Sequence, residues 1–182
     1  MARLENQVFP LLKACADPAS RTAATRRDHP GCQIVTATME KDMGTGAVDN
    51  TMFLAAGMAI AGATVLELGA IHRGVRALAF IDALDQGSAD EKWLMMLLRS
   101  FFAEEGPTPP DVLGQCWDSS QDEFYDLIVE LGDFGATLID RLTGRGAYTE
   151  AEILLEIVDA LGDEEGGGGE EGGGGEEGEE RD

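Results

Sequence analysis

The sequence predicts an all-α protein, a bundle of seven or eight helices around one central apolar helix, followed by a charged tail. Three observations carry that prediction. Residues 52–66 hold fifteen consecutive positions without a charge. A segment apolar on every side must be surrounded on every side, and as a helix this one rises only about 22 Å, short of the roughly 30 Å hydrocarbon core of a bilayer. Its surroundings are therefore expected to be protein. Helix-opening boxes then recur at Ser88–Glu91, Thr108–Asp111, Ser120–Glu123 and Thr149–Glu152, each ahead of an apolar run at helical spacing. Finally, no two stretches alternate convincingly enough to pair as strands.

Taken in order, residues 3–16 read as an amphipathic helix with Leu4, Val8, Leu11, Leu12 and Cys15 inward, and Pro10 is expected to kink it or delay its start. Asp17 to Gly31 reads as a mobile loop holding the main basic cluster, Arg21, Arg26 and Arg27. The segment around Cys32–Met43 stays ambiguous between helix and extended chain because of its β-branched residues. Asp49 or Asn50 is a natural N-cap for the central helix, and Gly69 and Gly74 mark a join before a second helix from about Val75 to Asp85. A helix carrying Trp93, Leu97 and Phe101 follows and stops at Gly106-Pro107. One short turn runs from Pro109 through Cys116. The longest stripe comes next: Phe124, Leu127, Ile128, Leu131, Phe134, Leu138, Ile139 and Leu142, ended by Gly144 and Gly146. The last helix turns Ile153, Leu154, Ile157, Val158 and Leu161 inward and is expected to stop at Gly162. The domain is thus 1–162, and 163–182 reads as a disordered acidic tail of repeated Gly and Glu.

The formal net charge is −22, and 10 of the 35 acidic residues lie in that tail. Nucleic acid is excluded as a partner on this balance, because affinity there comes largely from neutralising phosphates. A basic protein surface suits the tail better. Three cysteines, Cys15, Cys32 and Cys116, lack metal-ligand spacing and read as reduced, buried thiols, with a homodimer through one of them as the minor reading. The first ten residues do not resemble a signal peptide, so the expected location is cytoplasmic.

Chemistry is hard to assemble from these residues. The two histidines, His29 and His72, give no zinc pair, and a Cys–His or Ser–His couple would rest on chance proximity. Asp118, Ser120 and Asp122 begin like a calcium loop, but Glu123 stands where glycine is required and Val129 where the bidentate carboxylate belongs. Glu67 and Asp82 lie in apolar surroundings and are expected to pair with Arg73 or Arg76 at helix edges. The expectation is a non-enzymatic protein with no cofactor and no metal.

One stretch is similar to a known family. Glu67-Leu68, then His72 to Phe80, resembles the first homology motif of Bcl-family apoptosis regulators, and Trp117 followed by Asp122 to Leu127 resembles the second. The resemblance covers about residues 67–142 and is divergent in the way of viral members. Asn-Trp is missing from the first motif, Val75 separates Gly74 from Arg76, and no membrane anchor follows. It implies a Bcl-like bundle that blocks apoptosis by sequestering the amphipathic helix of a pro-apoptotic protein. Arg76 would pair with the ligand's Asp, Gly74 would admit its backbone, and Ala77, Phe80, Leu94, Leu97 and Leu98 would line the groove. Two other classes compete. One is a viral or cellular assembly protein whose acidic tail engages a basic partner; the other is a membrane-inserting protein using residues 52–66, with no stable span.

Overall fold

Helix α4, Asp49–Arg73, is the axis of the molecule, and α1, α3 and α5 to α9 all pack on it. The computed structural model describes residues 4–85 and 92–166. Among these the elements are α1 (Glu5–Ala16), α2 (Pro18–Thr22), a 3-10 turn (Arg26–Asp28), α3 (Pro30–Thr45), α4, α5 (Ala77–Asp85), α6 (Lys92–Ser100), α7 (Pro109–Ser119), α8 (Gln121–Gly144) and α9 (Glu150–Gly166). The described residues are therefore helical with no strand, in nine helices rather than the seven or eight expected. The Ser88–Glu91 box and the Gly/Glu run from residue 167 onward lie outside the described residues.

Fourteen of the twenty-five residues of α4 are buried, which is why its apolar character runs right round the helix. Small residues let its neighbours approach on several faces. A Cβ at Gly57 would sit 2.6 Å from Val8 of α1, one at Gly62 would touch Leu98 of α6 and Leu131 of α8, and one at Gly69 would sit 2.8 Å from Phe80 of α5. Gly57→Ala is accordingly expected to cost about 1–3 kcal/mol by overpacking against a fully buried Val8. An unchanged urea midpoint in that variant would show that α1 yields at no cost.

Twenty-five residues rise about 37 Å. By length and composition α4 is therefore sufficient to cross a membrane, contrary to the estimate from its charge-free run alone; what argues for a core helix is its burial. Nor does α4 break at Gly69. It ends at Gly74, whose φ of 66° admits the left-handed turn in which the N–H groups of Gly74 and Val75 reach Ile71 and Ala70.

Several local expectations change for identifiable reasons. Pro10 lies inside α1 without delaying it; both Pro10 and Asn6 face solvent, so water reaches the Asn6 carbonyl that loses its helical donor. The ambiguous segment is the sixteen-residue α3, started by Pro30 with His29 as its cap and ended by Gly46 at φ 72°. Asp17 to Gly31 is not a bare loop but holds α2 and the 3-10 turn, with Arg21 paired to Asp140 at 3.4 Å and Arg26 paired to Asp126, both on α8. Instead of a short turn, α7 spans eleven residues. Helix α9 runs past Gly162 to Gly166, since glycine permits a stop without imposing one. The boxes at Thr108 and Thr149 close in both directions, whereas Ser120 caps Glu123 one way only, because the Glu123 carboxylate accepts from Trp93 Nε1 at 2.8 Å.

Neither Asp49 nor Asn50 caps α4, whose N-cap is Val48. The cap comes from another helix. The Asp42 carboxylate of α3 accepts from the backbone N–H groups of Asn50 (3.1 Å) and Thr51 (2.8 Å), from Asn50 Nδ2 (2.7 Å) and from the Thr51 hydroxyl (2.5 Å). Asp42 and Thr51 are the buried polar residues of the described core.

Candidate functional site

Around Gly74 and Arg76 the structure separates the residues that the family resemblance groups together. Gly74 and Arg76 are exposed at the turn into α5, and Ala77 is half-buried beside them. Phe80, Leu94, Leu97 and Leu98 lie in the core, the last two with no exposed surface. The Phe80 ring packs against Gly69, and the Arg73 guanidinium lies 4.9 Å from its centroid. Asp82 pairs with neither Arg73 nor Arg76. Arg99 of α6 grips it at 2.5 Å and Asp85 at 2.8 Å, tying α5 to α6, while Glu67 faces solvent. Leu97 and Leu98 present no surface to a ligand, whereas Leu94 lines a separate depression with Leu84, Met95 and Phe134.

A well-formed concavity among the described residues lies elsewhere, between α3 and α8. It is a half-open cleft of about 440 Å³. Val35, Ala37, Met39 and Val129 supply apolar surface, and Tyr125 lines the cleft with them. The two helices run in opposite directions. His29 at the head of α3 meets Asp133 at 3.3 Å, whereas Asp42 near its far end is close enough to act on Tyr125 at the start of α8. One mouth is therefore formed by Arg26, Arg27 and Cys32, the other by Glu40 and Asp122. Arg26 is taken up by Asp126; Arg27, Glu40 and Asp122 make no ion pair among the described residues.

Comparison with known proteins finds no matching family model, no matching curated sequence and no matching solved structure.

Cys32 lines the cleft, and His29 lines the neighbouring depression with it. Both ring nitrogens of His29 are occupied: Nδ1 accepts from Gly31 N–H at 3.1 Å and Nε2 faces Asp133. No nitrogen is left to take a proton from the thiol. Burial, reinforced by the charge of Asp126, also pushes the Cys32 thiol up, away from the thiolate that attack requires. Cys15 is raised by burial and by Asp133, and Cys116 is pushed up to about 11 by burial and by Glu123 and Glu130. Burial lifts the Asp126 carboxyl above its ordinary range although Arg26 pulls it down, and burial with the charges of Asp42 and Asp122 raises Tyr125. No group of three or more His, Cys, Asp or Glu side chains among the described residues is arranged to hold a metal ion.

Sequence reasoning missed this cleft. Its apolar residues come from two helices ninety residues apart in the chain, and on α3 they alternate with Gln33, Thr36 and Glu40 without a clean stripe. The one signal on offer was Arg26 and Arg27, legible as a basic cluster but not as the rim of anything.

Proposed function

We propose that this chain is a non-enzymatic interaction protein that holds an amphipathic helix of a partner in the α3–α8 cleft. The single observation that supports the reading is an apolar floor running between α3 and α8, with no activated nucleophile beside it among the described residues. Its volume falls within the roughly 300–1,000 Å³ typical of small-molecule pockets. A half-open trough floored by aliphatic side chains suits anchors at i, i+3/i+4 and i+7 of a helix better than an enclosed ligand.

The more specific form of this reading is the Bcl-like one, in which the captured helix belongs to a pro-apoptotic protein and Arg76 holds its Asp. What favours a second contact there is the run from Ile71 to Arg76, exposed throughout, with Ile71 at 60% and Val75 at 44%. Titrating full-length protein with fluorescent amphipathic-helix peptides, death-ligand helices among them, tests both forms. Val129→Arg places a charge on the cleft floor and is expected to weaken binding at least tenfold, with Arg76→Ala neutral. Binding lost on Arg76→Ala and kept in Val129→Arg would move the site to α5. Absence of binding to every peptide, with the helical spectrum intact, would reject helix capture.

A further inference from the structure

The rims of the cleft carry information beyond its floor, and the inference that follows rests on the helix-capture reading. Gln33, whose side-chain amide donates to the Arg27 carbonyl at 3.2 Å, lies beside the 3-10 turn, and Glu40 stands seven residues further along α3. Seven residues of helix rise about 10 Å. Asp122 belongs with Glu40, because α8 runs opposite to α3 and both Asp122 and Asp42 are close enough to act on Tyr125. The trough therefore has a positive end, where Arg27 makes no ion pair among the described residues, and a negative end, where Glu40 and Asp122 make none among them, the two ends lying about as far apart as Gln33 and Glu40. Lys41, next to Glu40 in sequence, is not among the residues lining the cleft. On a chain of net charge −22, an arginine with no ion pair among the described residues, at one end of an apolar trough, offers a local positive site for a complementary ligand charge.

We propose that the cleft selects a helix of mixed polarity: apolar anchors facing the floor, one acidic side chain at the Arg27 end, and one basic side chain at the Glu40–Asp122 end. Charge complementarity at both rims supports this occupant. A purely acidic segment meets like charge at Glu40 and Asp122. The chain's own Gly/Glu run from 167 to 182 has no apolar anchor for the floor and so does not fit. A second copy of the protein remains as an occupant that the experiment separates.

The test uses full-length protein and three synthetic sixteen-residue helices sharing one Leu/Ile face. Their flanking positions, about two turns apart, carry Glu and Lys, Glu and Glu, or Lys and Lys. Wild type is expected to bind the mixed helix about two- to fivefold more tightly for each mismatched end, with the difference shrinking at high salt. Arg27→Glu, on an exposed turn where folding is not at stake, should reverse the order so that the Lys–Lys helix binds best. Glu40→Lys should shift preference toward the Glu–Glu helix. Equal binding of all three helices, abolished by Val129→Arg, would overturn the charge code while leaving helix capture standing. If no helix binds and sedimentation shows self-association lost in Val129→Arg, the occupant is a second copy and the proposal falls. If no helix binds and the protein stays monomeric, helix capture itself falls.

Discussion

Phe124→Ala should lower unfolding free energy by about 3–5 kcal/mol, the largest effect expected from a single substitution in this bundle. Phe124 opens the inward stripe of α8 and has no exposed surface. Its ring meets Trp117 of α7 edge-on, with centroids 5.2 Å apart and planes at 89°, and lies 6.2 Å from the ring of Tyr125. Truncation removes the buried ring and leaves a void at the α7–α8 corner, beside the Ser120 cap. Phe124→Leu should recover most of the loss, because it restores apolar volume without the edge-on pairs. Urea unfolding followed by helical signal reads both values. A loss under about 1 kcal/mol for the alanine variant would mean that the corner repacks freely.

Asp42→Ala comes second, at about 2–3 kcal/mol, and has a pH signature of its own. Four donors converge on this one carboxylate, two of them the otherwise unsatisfied N–H groups of the first turn of α4. Burial alone raises an aspartate, but the hydrogen bonds from Thr51 and Asn50 outweigh it and hold Asp42 below its usual range. A folded value below the unfolded one, about 3.9, places the stabilisation in full above that unfolded value. It is then lost as pH falls through the lower, folded value. The gap between wild type and Asp42→Ala should therefore be constant near neutrality and close in strong acid. A gap that widens on acidification would contradict the cap, and Asp42→Asn should fall between the two proteins.

The same residue shows where reading the chain alone stops. Local rules place a cap at Asp49 or Asn50, because in sequence a helix start is read from its immediate neighbours. Asp42 is seven residues upstream inside another helix, and only the packing of α3 against α4 brings it to the vacant N–H groups. Glu67 and Asp82 teach a similar lesson. Adjacency in the chain suggested Arg73 or Arg76 as partners, yet Arg73 lies over an aromatic ring and Asp82 meets Arg99 from the next helix.

The sequence by itself determined the helical class, the identity of the core helix, the α8 stripe and the two capping boxes that close in both directions. Each depends on spacing within a dozen or so residues, where the helical period and the orphan N–H groups of a first turn act locally. Tertiary structure alone decided that α3 is a helix, that α4 continues through Gly69, and that Arg21 and Arg26 are tied to α8. It also decided that Leu97 and Leu98 are core while Met39, Tyr125 and Val129 line an open cleft. An apolar residue at helical spacing is the same letter whether its helix faces the centre or the rim. Which of the two it faces is set by how the helices pack, and no local pattern carries that information.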